Sequence, residues 1–341
     1  MSLSEYIIQN EKVFASAHDI KYLFMPAERP SQYLTVVFSG FNGEEEKGKP
    51  PHYNYVKHLK DINCHRLFII DECNGHPCYY LGNHKKLDYE ASVASLIFSV
   101  INKYKIKKSN VITCGSSKGG TAAFYFGIKY DFGHVVTGGF QFFAGDYLYN
   151  VGEYTREKVL TSITGGSSTG HRDYLNNIYL DLLKYARFTT KLNLHIGRGD
   201  HHYETHFLPF LDILKEREIP FDLDVQEYES HSKMGMYFAD YLLEKITKIT
   251  GEIVIKDVPI AIEDNVITVS CHTPENAIKD KFVHFAFYVY KEGISEPIEK
   301  TKYSRSNTFH YKPDQSGKYT IRVFMRKDHI RLSKGTMSII L

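Results

Sequence analysis

From Asn110 the chain reads Asn-Val-Ile-Thr-Cys-Gly-Ser-Ser-Lys-Gly-Gly-Thr-Ala-Ala-Phe124. An apolar, β-branched run enters Gly115-Ser116-Ser117-Lys118-Gly119, a G-x-S-x-G pattern, and leaves it as an Ala/Phe-rich helical stretch. A strand-to-helix turn of this kind holds its central serine above the carboxyl edge of a sheet, and the flanking glycines let strand and helix approach closely. The hydroxyl of Ser117 would then sit at a helix N-terminus, where free N–H groups and the helix dipole favour developing negative charge. Ser117 is therefore the candidate nucleophile for acyl transfer, and Ser116, one residue off the motif centre, should point elsewhere. The competing readings are an inert glycine turn and a phosphate cradle using Lys118. A P-loop, however, needs four residues between its first Gly and Gly-Lys-Ser/Thr, a spacing not found here.

A serine hydroxyl needs a general base, and the base needs a carboxylate to hold its tautomer. On α/β-hydrolase scaffolds these follow in chain order Ser, acid, His, with the acid after a late strand and the His after the last one. The apolar run Leu192–Ile196 leads into Gly197-Arg-Gly-Asp-His-His-Tyr-Glu-Thr-His206. The run Asp222–Tyr228 leads into Glu229-Ser-His-Ser-Lys233. Asp200 and His231 thus occupy the two loop positions, with Glu204 as alternative acid and Asp146 as a more remote one. His201, His202 and Tyr203 are expected to orient these groups or touch substrate. Asp200, His201, His202 and His206 are also metal-ligand types, but there is no HExxH, and a metallohydrolase would need a further ligand and a base. No metal and no cofactor is expected. The oxyanion hole should combine the backbone N–H of Lys118 with one from Gly40 or Phe41, in the loop Val37–Gly43. The charged segment 44–55 that follows reads as a solvated flap.

These residues require elements to position them. Short Val/Ile/Phe-rich runs at Leu34–Ser39, Arg66–Asp71, Asn110–Cys114, His134–Gly139, Leu192–Ile196 and Asp222–Tyr228 are apolar on both faces, as buried parallel strands are. Helical patterns lie between them at Tyr89–Tyr104, Gly119–Tyr130, Tyr174–Ala186 and Phe207–Arg217, and Met234–Thr250 closes the region. The alternation predicts a three-layer α/β-hydrolase-like fold with a mostly parallel sheet over residues 1–250, and residues 146–188 as a helical cap that excludes water. After Gly251 alternating segments at 252–260, 265–272, 282–291, 318–327 and 336–341 are separated by polar turns. They predict about seven short antiparallel strands, hence a small all-β, Ig-like sandwich over residues 251–341.

Composition narrows the function classes. The 341 residues carry a formal charge of +2, so there is no overall basic field of the kind nucleic-acid binders use. The chain has 26 Tyr and 22 Phe but no Trp, an aromatic load suited to stacking on sugars as well as to cores. Cys64, Cys73, Cys78, Cys114 and Cys271 are odd in number with no CxxC pair, which predicts reduced, packed thiols. The N-terminus lacks the basic start and apolar run of a secretory signal, and the longest mostly apolar stretch, 91–101, is about half of what a membrane span needs. A cytoplasmic protein without a membrane span is expected.

The GSSKGG elbow, the SGFN loop, the GRGDHHY segment and the His-containing last loop resemble an α/β-hydrolase group of bacterial glycan pathways. That group includes accessory secretion-system proteins that O-acetylate glycans on serine-rich adhesins, and capsular-polysaccharide biosynthesis relatives. The resemblance covers residues 34–249. It implies Ser117 as nucleophile, His231 as base and an acid within Asp200–Glu204, since relatives use either Asp or Glu. It further implies esterase or O-acetyltransferase chemistry on a carbohydrate or acylated small molecule, and association with other glycan-biosynthesis proteins. The long N-terminal extension of the secretion-system members has no counterpart here, so a dedicated secretion role is not expected. The alternative is a non-catalytic glycan-binding or scaffold protein on the same fold.

Overall fold

The computed structural model of the protein describes residues 2–341, which divide into two compact units with the boundary between Lys245 and Ile246. The first is built on one eight-stranded sheet. Its strands are β1 (Glu11–Phe14), β2 (Ile20–Met25), β3 (Leu34–Phe38), β4 (His65–Ile69), β5 (Val111–Ser116), β6 (His134–Gly138), β7 (Lys191–Gly197) and β8 (Phe221–Gln226). They lie in the order β1-β2-β4-β3-β5-β6-β7-β8. From β4 to β8 every neighbouring pair is parallel, while β1 and β2 join as an antiparallel edge. Every residue of β3, β4 and β5 is buried, so the polar/apolar alternation of a one-sided sheet is missing there. The six parallel strands match the predicted runs to within two residues at each end. The edge strands β1 and β2 are additional to them.

Helices α1 (Leu3–Asn10), α2 (Val56–Leu59), α3 (Asp88–Tyr104), α4 (Lys118–Lys129), α5 (Ala144–Asn150), α6 (Thr161–Thr164), α7 (Thr169–Tyr185), α8 (Leu208–Glu216) and α9 (His231–Thr250) complete the first unit, α9 running on into the second. Helix α4 is buried along its length from Lys118 to Ile128. An Ala/Gly-rich sequence permits this, because small side chains bring the helix backbone onto the sheet. Gly119 is the tightest case: a Cβ there would lie 2.2 Å from the Phe38 carbonyl oxygen. In the 146–188 region α5, a π-helical stretch Thr155–Leu160, α6 and α7 follow one another. Helix α7 starts at Thr169 rather than Tyr174, because its polar first turn, Thr-Gly-His-Arg-Asp, carries no apolar periodicity. It buries Leu175, Asn176, Tyr179 and Leu183, and Tyr179 meets Tyr125 of α4 edge-on at 5.9 Å.

The second unit carries β9 (Ile260–Glu263), β10 (Val266–Ser270), β11 (His284–Lys291), β12 (Glu299–Lys300), β13 (Thr308–Tyr311), β14 (Lys318–Lys327), β15 (Ile330–Gly335) and β16 (Ile339–Ile340). They form a three-stranded sheet β13-β10-β9 and a sheet β12-β11-β14-β15 with β16 paired to β14. Ile267 and Val269 of one sheet and Phe287, Val289, Ile321 and Val323 of the other share a single buried core. The unit also holds a five-residue helix, α10 (Glu275–Lys279). The expected strand over 252–260 is not formed as such: Ile253, Val254 and Ile255 are buried consecutively rather than alternately, and β9 begins only after Pro259. Among the described residues no helix is long and apolar enough to cross a membrane.

Candidate active site

Ser117 follows the last residue of β5 and precedes the first of α4, with φ +52° and ψ −128°. Left-handed φ at a residue with a Cβ is strained, and the surrounding structure must hold it. Here the Ser117 N–H donates to the Gly138 carbonyl at 2.9 Å, and Gly115 and Gly119 leave room for the turn. The Oγ faces two partners, Nε2 of His231 at 3.1 Å and Nε2 of Gln141 at 2.9 Å. Ser116 turns the other way, its Oγ 2.5 Å from the Tyr55 hydroxyl.

His231 opens α9 after β8, and Asp200 closes a turn after β7, where its N–H donates to the Gly197 carbonyl at 3.1 Å. The Nδ1 of His231 lies 2.8 Å from Asp200 Oδ2. A carboxylate at Nδ1 places the imidazole proton there and leaves the Nε2 lone pair toward Ser117. The other Asp200 oxygen accepts the His202 N–H at 2.9 Å. Burial raises the Asp200 carboxyl, which is 2 % exposed, but the hydrogen bonds from His231 and His202 outweigh it and leave it below the usual carboxylate range.

The remaining predicted residues fall into two groups. His201 has a side chain 62 % exposed and its ring centroid 5.3 Å from that of His231, open to a ligand. His202, also expected near the substrate, is fully buried and donates from Nδ1 to the Gly139 carbonyl at 2.8 Å. Burial and the nearby His231 push its pKa down to about 3, and burial pushes that of His206 down to about 4. Tyr203 packs under the Arg198 guanidinium. Glu204 is exposed on a π-helical turn, Tyr203–Phe207, and Asp146 pairs with Arg172 at 3.4 Å, so neither carboxylate is hydrogen-bonded to His231. Asp200, His202 and His231 offer ligand atoms within 4.8 Å of one another. Yet both nitrogens of His231, Nδ1 of His202 and both Asp200 oxygens are already hydrogen-bonded, and a metal ion would have to break that row.

Of the expected oxyanion donors, the Gly40 N–H is taken by Asn54 Oδ1 at 2.8 Å. Among the described residues the Phe41 and Lys118 N–H groups donate to no protein acceptor. The Lys118 side chain points into the core, not to a phosphate: its ammonium meets Asp71 Oδ2 at 2.7 Å, with both side chains within 1 % of full burial. Asp71 also accepts the N–H groups of Cys78, Tyr79 and Tyr80 at 3.0–3.1 Å. The Lys118 ammonium lies 5.1 Å from the Phe41 ring centroid and 5.5 Å from that of Tyr80, and Tyr80 OH in turn accepts the Ser39 N–H at 2.6 Å. One buried ion pair therefore ties the elbow to the loop bearing Phe41. Sequence reading missed Gln141, Asp71 and Asn54; only a lone polar residue amid Phe140, Phe142 and Phe143, and an Asp ending an apolar run, hinted at the first two.

A sheet in this strand order, with a serine at the turn after β5 and the loops after β7 and β8 converging on it, is an α/β-hydrolase fold. Similar solved structures include a capsule O-acetyltransferase of Neisseria meningitidis serogroup A, with TM-score 0.57 and 17% identity, covering 69% of this chain and 93% of that one. A glycosylation-associated protein complex from Streptococcus agalactiae gives TM-score 0.57 and 18% identity over 70% of this chain and 46% of that one. A fluorophosphonate-binding serine hydrolase of Staphylococcus aureus gives 0.50 and 14% over 70% and 97%. No family model and no curated protein matches the sequence. At these identities the likeness is one of fold.

Proposed function

We propose that the protein is a serine-dependent acyl-ester enzyme, an esterase or O-acetyltransferase acting on a bacterial surface or capsular polysaccharide or its precursor. The observation that carries this is the row Ser117 Oγ, His231 Nε2 at 3.1 Å, His231 Nδ1, Asp200 Oδ2 at 2.8 Å. As Oγ attacks an ester carbonyl, its proton moves to Nε2 and Asp200 stabilises the imidazolium. The carbonyl oxygen, now anionic, takes the N–H groups of Lys118 and Phe41. The tetrahedral species collapses, the imidazolium gives its proton to the departing alkoxide, and an acyl-Ser117 ester remains. Water or a sugar hydroxyl, deprotonated by His231, then attacks that ester, and Oγ leaves with the proton. The same groups serve hydrolysis and transfer, and the acceptor decides between them.

The glycan context is supported by the names of two similar structures, a capsule O-acetyltransferase and a glycosylation-associated complex. The latter supports association with other glycan-biosynthesis proteins. In this reading the helices of 146–188 cap the site, His201 and Tyr203 border the substrate, and residues 251–341 form an Ig-like sandwich. The enzyme works in the cytoplasm without a cofactor. The test is hydrolysis of an aryl acetate together with labelling by a fluorophosphonate. Ser117→Ala should abolish labelling and cut turnover at least about 10⁴-fold. Unchanged hydrolysis in that variant would remove Ser117 from the mechanism.

A further inference from the structure

Ser117 Oγ has one proton and two lone pairs. Its proton is committed to His231 Nε2, so the hydroxyl can accept one strong donor, and the structure supplies one. Gln141, in the loop after β6, is fully buried and places its Nε2 2.9 Å from Ser117 Oγ. The Oε1 accepts from the Tyr79 hydroxyl at 3.4 Å, and the Thr121 hydroxyl lies 3.4 Å from it and 3.0 Å from the Gln141 carbonyl oxygen. Its main chain is pinned by the same threonine, whose Oγ1 accepts the Gln141 N–H at 3.1 Å. With its proton given to His231, Ser117 Oγ can only accept from the amide, so the NH₂ faces the nucleophile and Oε1 faces those hydroxyls.

We propose that Gln141 is a further catalytic residue, whose amide stabilises negative charge on Ser117 Oγ itself. This rests on the serine-nucleophile reading above. The backbone N–H groups of Lys118 and Phe41 act on the carbonyl oxygen; the Gln141 N–H acts on the attacking atom. As the proton passes from Oγ to His231 Nε2, the growing alkoxide keeps the Gln141 hydrogen bond, which shortens and strengthens as its acceptor becomes charged. In deacylation the same Oγ is the leaving group, and the same N–H receives the charge returning to it before His231 hands back the proton. One buried amide therefore assists both half-reactions, where water cannot compete for the donor.

The experiment compares wild type, Gln141→Met and Gln141→Glu for aryl acetate kinetics, fluorophosphonate labelling rate and pH dependence, with thermal unfolding as a folding control. Methionine keeps length and volume but removes the donor. Q141M should lower kcat/KM by about 100-fold and slow labelling by a similar factor, with KM little changed. Q141E should be nearly inactive at neutral pH, where a carboxylate would face the alkoxide. It should regain activity toward acid, as the protonated carboxyl again donates to Oγ. A role confined to packing would not give that acid limb. Wild-type rates in Q141M, or a Q141E profile parallel to wild type, would overturn the proposal while leaving Ser117 the labelled nucleophile. Labelling and turnover kept at wild-type levels in Ser117→Ala would instead sink the serine reading beneath it. If Q141M does not fold, the Q141E acid limb alone decides.

Discussion

In the proposed mechanism each ring nitrogen of His231 has a different duty, which makes the group at Nδ1 as decisive as the serine at Nε2. Asp200 accepts the Nδ1 proton at 2.8 Å. Replacing Asp200 by Asn puts an amide N–H within reach of Nδ1, favours the tautomer with its proton on Nε2, and turns a base toward Ser117 that is already protonated. Asp200→Asn should lower kcat on an aryl acetate by roughly 10³–10⁴-fold with little change in KM. Glu204→Gln should stay within about threefold of wild type, since that carboxylate is exposed and has no hydrogen bond to His231. A reversed outcome, with Glu204→Gln crippled and Asp200→Asn active, would hand the orienting role to Glu204. The sequence left these two acids open for a physical reason. They are four residues apart in one loop, and only the π-helical turn over Tyr203–Phe207 decides that Glu204 faces outward.

At the scale of elements, the elbow depends on what lies beneath it. The Lys118–Asp71 pair is 2.7 Å long and almost fully buried, whereas Lys318–Glu292, at 2.6 Å, has side chains 42 % and 65 % exposed. Breaking the first leaves an uncompensated charge in the core, and breaking the second lets both groups return to water. Lys118→Met should therefore destabilise the chain by about 3–5 kcal/mol, and Lys318→Met by less than about 1 kcal/mol, by urea unfolding. Equal losses would show that the Asp71 carboxylate finds other relief. Partnerships of this kind are what the sequence hid: Asp71 is 47 residues from Lys118 and Gln141 is 24 from Ser117, and no local pattern encodes such pairings. The parallel strands were legible because burial on both faces writes an unbroken apolar run, as in Leu34-Thr-Val-Val-Phe38. Strand β1, with three of four residues exposed, writes no such run, and β2, with only Ile20 and Leu23 buried, barely does so. The elbow was legible because its glycines are demanded by contacts with the neighbouring strand, and that demand shows as G-x-S-x-G.

For the whole molecule, the aromatic load that suggested stacking surfaces goes largely to the core. Phe124, Phe140, Phe142, Phe207 and Phe210 meet one another at centroid distances of 4.7–6.5 Å beneath the helices around the site. The histidines next to that cluster are buried with it, and this couples the site to the stability of the fold. Burial holds His206 near 4, and burial beside His231 holds His202 near 3, whereas in an unfolded chain both titrate near 6.5. Between about pH 4 and 6.5 the unfolded chain therefore binds more protons than the folded one. Stability rises with pH across that window and is lost as acid is added, by up to about 1.4 kcal/mol per pH unit for each histidine. Asp200, held below its usual range, adds a loss of the same sign only further down, below about pH 4. Urea unfolding followed from pH 7.5 to 5 should show stability nearly constant above about pH 7 and falling by about 2–4 kcal/mol by pH 5. His206→Gln keeps an acceptor for the Phe143 N–H but cannot titrate, and it should lower that slope by about a third or less, because His202 near 3 and His134 near 4 still add to it. A wild-type profile flat down to pH 5 would mean that these imidazoles take up protons in the folded state, and the neutral buried row around Asp200 could not then be as drawn.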